Sequence, residues 1–218
     1  MILAFDLDGT ISDPSEGITA SLNFALENLG LSIQPALKLT KYIGPSLIDI
    51  FSDLLNTDDD DLIRKAIVFF RKRYSNIGYK ENVLYPEIKD ILKTLSKNHD
   101  ALYIATTKKP EVAQAVAEYF GISHYFKEIL GCGSKRKKVE LIQEIREKEN
   151  NHDIVMIGDR FIDMVAGKSA GCFCVGVLWG FGSEKELKDS GADILLDEPI
   201  KLLELAQLKD SFASISAN

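Results

Sequence analysis

Short, mainly apolar runs recur along most of this chain, with segments of helical spacing between them. The runs lie at 2–6, 101–106, near 128–130, and at 153–157, 172–177 and 193–196. Runs this short, without polar alternation, suit strands buried on both faces. The stretches 87–98, 110–120, 137–149, 160–170 and 184–190 carry apolar residues at helical intervals and read as amphipathic helices. Strands alternating with helices predict βαβ units and a parallel sheet.

One region breaks the alternation. Residues 15–80 offer no strand and show helical spacing throughout: Ile18, Leu22, Ala25, Leu26 and Leu29, then Leu47, Ile50, Phe51, Leu54 and Leu55, then Leu62, Ala66, Phe69 and Phe70. Gly30, Gly44-Pro45 and the acidic run Asp58–Asp61 punctuate it. The acidic run reads as a solvated helix start favoured by the helix dipole. A module of about four helices is therefore expected between the first strand and the rest of the sheet, spanning 14–83. That leaves 1–13 and 84–218 for the α/β domain. Pro86 is expected to start the next sheet-facing helix. The last residues, 211–218, lack periodicity and are expected to fray.

Composition narrows the classes of function. Of 218 residues, 45% are hydrophobic and 27% charged, as in ordinary globular chains. A net charge of -7 argues against a nucleic-acid partner. No apolar run reaches the roughly 18 residues of a membrane span. No basic region precedes the first apolar run, so a cytoplasmic location without a membrane partner is expected. Cys132, Cys172 and Cys174 make an odd count, which argues against a disulfide framework. Cys172 and Cys174 share one face of a strand-like run and read as buried residues. His99, His124 and His152 are scattered without zinc spacing and are expected at turns or the surface.

Four segments carry candidate chemistry. In Phe5-Asp6-Leu7-Asp8-Gly9-Thr10, two carboxylates sit at or past the end of a buried strand, where ligands bind in open α/β sheets. Such a pair suits a divalent cation and acid–base work, and Gly9 permits a sharp turn. In Ile104-Ala105-Thr106-Thr107-Lys108 a strand ends in two hydroxyls and a lysine, and Thr106 could donate to a phosphoryl oxygen. In Ser134-Lys135-Arg136-Lys137-Lys138-Val139, cations open a helix against its dipole. That run reads either as a solvated face or as a cluster offset by a bound anion. In Met156-Ile157-Gly158-Asp159-Arg160-Phe161-Ile162-Asp163, a strand runs into Gly-Asp with a second aspartate four residues on. Asp159 and Asp163 then share one side of the following helix's first turn.

In order, the four segments resemble the motifs of the haloacid dehalogenase superfamily, over essentially the whole chain. The helical insert resembles the cap of its phosphatases. Tyr42-Ile43-Gly44-Pro45-Ser46-Leu47 is similar to the Ile-Gly-Pro-Pro-Leu cap motif of the phosphoglycolate phosphatase-like group, with Ser46 where proline is more usual. The resemblance implies a doubly wound, mainly parallel α/β core of Rossmann-like type with an inserted α-helical cap domain.

The resemblance also implies chemistry. Asp6 would be the nucleophile and form an aspartyl phosphate. Asp8 would be the general acid and base. Thr106 and Lys138 would hold the phosphoryl oxygens. Lys138 is preferred over its basic neighbours because it lies one turn before Leu141 and Ile142. Asp6, the Asp8 backbone carbonyl, Asp159 and Asp163 would hold Mg²⁺, with Asp163 ligating through water or orienting Asp159. Thr107, Gly9, Ser46 and Lys41 would contact phosphate or substrate. The implied partner is a small phosphorylated metabolite, and the chain would be a monomer or weak homodimer. A phosphotransferase of the β-phosphoglucomutase kind, or a nucleotidase or pyrophosphatase, would use the same scaffold. A dehalogenase or a phosphonatase would lack the acid at Asp8, although Lys41 is a nominal Schiff-base lysine. A non-catalytic binding module would have lost the acids.

Overall fold

A computed structural model of the chain describes residues 1–99, 101–133, 136–150 and 152–205. The C-terminal fraying expected for 211–218, and Ser134 and Lys135 of the basic run, lie outside the described residues. In chain order the elements begin with β1 (Ile2–Phe5), β2 (Ser12–Asp13), α1 (Ser15–Asn28), α2 (Ala36–Leu39), α3 (Leu47–Leu55) and α4 (Asp60–Tyr74). There follow β3 (Val83–Leu84), α5 (Ile88–Asn98), β4 (Ala101–Thr106), α6 (Pro110–Tyr119), β5 (Glu128–Gly131) and α7 (Lys138–Lys148). The chain continues through β6 (Ile154–Gly158), α8 (Phe161–Ser169), β7 (Phe173–Val177), α9 (Glu184–Asp189) and β8 (Ile194–Leu196).

Six strands form one parallel sheet in the order β5-β4-β1-β6-β7-β8. The centre is β1, paired with β4 on one side and β6 on the other, and all three are buried throughout. Successive side chains of a strand point to opposite faces. Leu3, Phe5, Leu102, Ile104, Val155 and Ile157 accordingly pack in one core with α5 and α6. Ile2, Ala4, Tyr103 and Met156 pack in a second core with α7 and α8. Helices on both faces explain why the strands are apolar without alternation.

The helical module has its own core, built from Ile18, Leu22 and Ala25 of α1, Ile50 and Phe51 of α3, and Ile63, Ile67 and Phe70 of α4. Where the chain enters and leaves this module, β2 and β3 pair antiparallel, with Ser12 opposite Leu84 and Asp13 opposite Val83. Two-residue strands leave no periodic trace, so the ribbon was not legible in the sequence. Asp59 caps α4, its carboxylate accepting from the Asp61 and Leu62 N–H groups at 2.9 and 3.3 Å. The acidic run is thus a helix start.

Two local expectations need correction. Pro86 lies in a turn, and α5 begins at Ile88 after Glu87 takes a left-handed conformation with φ of 60°. His99 is buried at 7% exposure, because it follows α5 where the chain dives toward β4. All three cysteines are free and buried. Among the described residues no helix is long and apolar enough to cross a membrane.

Candidate active site

The parallel sheet delivers side chains to one edge. Asp6 immediately follows β1, Thr106 ends β4 and Asp159 immediately follows β6, so the three arrive at neighbouring carboxyl ends. Asp6 is anchored by its own N–H, which donates to the Ile157 carbonyl at 2.8 Å. Asp163 sits in the first turn of α8. Its Oδ2 accepts from the Arg160 N–H at 2.9 Å, closing a capping box. Carboxylate oxygens of Asp6, Asp159 and Asp163 lie within 4.8 Å of one another, and all three residues are buried.

One ammonium enters this cluster. Lys138, the first residue of α7, is only 5% exposed. Its Nζ lies 2.5 Å from Asp163 Oδ1 and 2.9 Å from Asp6 Oδ1. The second contact is an ion pair, and beyond it Asp6 Oδ1 has no hydrogen-bond partner among the described residues. The anionic offset that a cation at a helix start requires is therefore supplied by the protein's own carboxylates. Arg136 and Lys137 are exposed, and Arg136 turns to Glu144 at 2.6 Å. Of the described basic residues in the run, Lys138 alone reaches the acids.

The electrostatics register the crowding. Burial, then Asp163 and Asp6, raise the Asp159 carboxyl well above the usual range. Burial pushes Asp163 up to about 6, against the pull of Lys138. Burial also opposes the charge of Lys138, but Asp163 and Asp6 more than offset this and hold its pKa above normal. Three carboxylates facing one ammonium leave two negative charges uncompensated. An all-oxygen donor set with that deficit fits a hard divalent cation such as Mg²⁺.

Asp8 stands apart from this trio. Its Oδ2 accepts from Lys108 Nζ at 2.5 Å, while its Oδ1 is buried without a hydrogen bond. Burial raises its pKa, with Lys108 pulling the other way. Lys108 also reaches the Tyr74 hydroxyl of α4 at 3.0 Å, so the helical module touches the acid site directly. Thr106 is 1% exposed, and its Oγ1 accepts from the Lys108 N–H at 3.4 Å.

Gly9 is required by a close approach. It has φ of 84°, and a Cβ there would stand 2.1 Å from Asp159 Oδ2. The segment after β7 closes the other side: the Phe181 N–H donates to Asp159 Oδ2 at 2.8 Å, and a Cβ on Gly182 would meet the Asp159 carbonyl at 1.9 Å. The Trp179 indole donates to the Thr10 carbonyl at 3.0 Å.

Between the module and the sheet edge lies a cavity of about 670 Å³, whose lining includes Asp8, Lys108, Lys138, Ser46 and Tyr74. Ser46 caps α3 while lining this space; its Oγ accepts from the Asp49 N–H at 3.3 Å and donates to the Asp49 carboxylate at 2.6 Å. Thr107 also lines it, but its hydroxyl donates to the Gly44 carbonyl at 2.9 Å. It ties the sheet edge to the module. Arg160 reinforces that tie through the Ile43 carbonyl. Lys41 does not line the cavity. It pairs with Asp53 at 3.2 Å and lies over the Tyr42 ring on the module's outer side, because that carboxylate is the nearest anion.

Sequence reasoning missed the roles of Lys108, Tyr74, Arg160 and Phe181. Lys108 was visible as the second polar residue after β4. The glycines flanking Phe181 were the available signal for a close backbone approach.

A parallel sheet with acids at its central strand ends and a helical module over them is the architecture of one hydrolase class. The chain belongs to the haloacid dehalogenase-like hydrolase family, whose model matches residues 3–177. Within that family it is an enzyme of the phosphatase type. It is 36% identical over 191 residues to a 5'-nucleotidase of Pseudomonas aeruginosa, covering 85% of this chain and 86% of that protein. It is 27% identical over 216 residues to a phosphoglycolate phosphatase of Vibrio vulnificus, covering 94% and 95%. A haloacid dehalogenase-like family hydrolase from Streptococcus pneumoniae superposes with a TM-score of 0.86 at 29% identity, covering 94% of this chain and 97% of that one.

Proposed function

We propose that this chain is a Mg²⁺-dependent phosphomonoester hydrolase that works through an aspartyl phosphate on Asp6. The observation that carries the reading is the buried trio Asp6, Asp159 and Asp163 with Lys138 inserted among them. Asp6, the Asp8 backbone carbonyl and Asp159 would hold the cation, with Asp163 beside them. The cation supplies charge compensation for a dianion approaching a carboxylate.

Asp6 attacks phosphorus, and the bond to the leaving oxygen breaks. Asp8 gives its proton to that oxygen through Oδ1, the oxygen not held by Lys108. In the second step Asp8 takes a proton from the water that attacks the acyl phosphate, which frees Asp6 and phosphate. Lys138 and Thr106 hold the equatorial oxygens as charge shifts. The helical module would act as a cap, a reading supported by the Lys108–Tyr74 contact, the Gly44–Thr107 tie and Ser46 in the cavity lining.

Phosphorylated small metabolites are the substrate class, as in the relatives named phosphoglycolate phosphatase. A nucleoside monophosphate is a second reading, favoured by the cavity, of which a two-carbon acid fills only a small part. The test is phosphate release from a panel of phosphate esters with Mg²⁺ and with a chelator. Cation-dependent release is expected. Full activity in metal-free protein removes the cation from the mechanism. No release from any ester rejects the hydrolase.

A further inference from the structure

The chemistry above uses the floor of the cavity and leaves one wall without a role. Helix α4 forms that wall. Tyr74, near its C-terminal end, touches Lys108 at the floor. Arg71 sits three residues earlier on the same helix, and Phe70 and Ile67 continue away from the acids. Residues three apart share a helix face, and three steps of about 1.5 Å span roughly 4.5 Å along the axis. Arg71 therefore lines the same cavity about one helical turn from Tyr74, whose hydroxyl is held by the lysine that holds Asp8.

Arg71 differs from the other cations around this space. Lys108 pairs with Asp8, Lys138 with Asp6 and Asp163, Lys109 with Glu111, and Arg136 with Glu144. Among the described residues Arg71 makes no such ion pair, and its Nε is buried without a hydrogen-bond partner. A buried N–H lacking an acceptor is destabilising, which native structures tolerate where a ligand completes the bond. The cavity that Arg71 lines has apolar residues on it, Ile50, Ile67, Phe70, Val139, Phe161 and Val165 among them, beside the acids Asp49 and Glu111.

We propose that Arg71 is a specificity residue that receives an oxygen acceptor on the leaving group, a carboxylate by preference. This rests on the hydrolase reading of the same site and deepens it. The preferred substrate is a phosphomonoester whose leaving group has an apolar body and an acceptor about one helical turn from the ester oxygen. The guanidinium fork matches a carboxylate bidentately; the anion whose charge it feels, Glu111, is paired with Lys109 and forms no close ion pair with Arg71 among the described residues. The apolar wall takes the body of the leaving group by burial. A neutral carbonyl, as on a nucleobase, would engage the same donors with less charge assistance.

The test compares phenyl phosphate with its 3- and 4-carboxy and 3- and 4-carbamoyl derivatives, on wild type and Arg71→Met. Methionine keeps apolar bulk and removes the donors. Wild type should favour a carboxyphenyl ester over phenyl phosphate by about tenfold or more in kcat/KM, the scale of a charge-assisted hydrogen bond. In Arg71→Met that ratio should collapse toward one, and Arg71→Lys should fall between. No preference in wild type, or a preference that Arg71→Met retains, overturns the proposal. Equal preference for the carbamoyl esters overturns the carboxylate assignment. If no ester turns over, the hydrolase reading fails separately. Thermal stabilisation by carboxyphenylphosphonate against phenylphosphonate, in both proteins, then reads the subsite without turnover. A larger shift for the carboxylate in wild type alone supports the proposal, and equal shifts overturn it.

Discussion

At the floor of the cavity, each described lysine that reaches an acid is committed to it: Lys138 to Asp6 and Asp163, Lys108 to Asp8. On the wall, α4 offers Ile67, Phe70 and an Arg71 that makes no close ion pair among the described residues and whose Nε lacks a hydrogen-bond partner. The floor is rigid for a physical reason. Its acids stand at the ends of buried strands, locked by backbone bonds such as Phe181 N–H to Asp159 and Arg160 N–H to Asp163. The wall belongs to a module joined to the sheet by a two-residue ribbon and a few ties, Thr107 to Gly44 and Lys108 to Tyr74 among them. On the proposed function, chemistry that tolerates little displacement would stand on strand ends, and selection on a surface that can be re-lined without disturbing them.

The strongest way to break that contrast is at the nucleophile. Asp6→Asn should lower kcat by at least about a thousandfold, because the amide cannot form the acyl phosphate. Its melting temperature in metal-free buffer should equal or exceed that of wild type, since one of three crowded carboxylates loses its charge. Activity within tenfold of wild type would reject Asp6 as nucleophile.

Next in size is the floor lysine. Lys138→Ala should raise the barrier by about 2–4 kcal/mol, as other preorganised charge-stabilising groups do. Lys137→Ala, whose side chain is exposed, should change kcat/KM by less than about threefold. A reversal of these two results would move the catalytic cation to Lys137.

Cation binding sharpens the same point without turnover. Mg²⁺ should raise the melting temperature of wild type, because a ligand that binds only the folded chain stabilises it. The rise should vanish in Asp159→Asn. An undiminished rise there would place the ion elsewhere.

The smallest effects should come from the module. Ser46→Ala removes the cap of α3 and should cost about 1 kcal/mol of stability, while shifting relative rates among esters. Lys41→Ala, which breaks an exposed pair with Asp53, should scale all esters equally. A change in ester preference in Lys41→Ala would return that residue to the selecting surface.

The chain by itself determined the strand ends. Apolar runs closed by Asp6, by Thr106 or by Gly158-Asp159 are local patterns, and in a parallel sheet their carboxyl ends share one edge. Helix phase likewise pointed Lys138 inward, since Leu141, Ile142 and Ile145 mark the buried face of α7. Other features depended on contacts between residues far apart in the chain. Lys41, expected at the substrate, is drawn instead to Asp53, while Thr107 lines the cavity and gives its hydroxyl to the Gly44 carbonyl. Lys108 meets Asp8 across 100 positions and Tyr74 across 34. Phe181 meets Asp159 only because the segment after β7 folds back over β6, and among the described residues Arg71 makes no close ion pair, because Glu111 is taken by Lys109. Periodicity reports which face of an element is buried, whereas the partner of a long polar side chain is set by which anion or carbonyl the packed elements bring within reach.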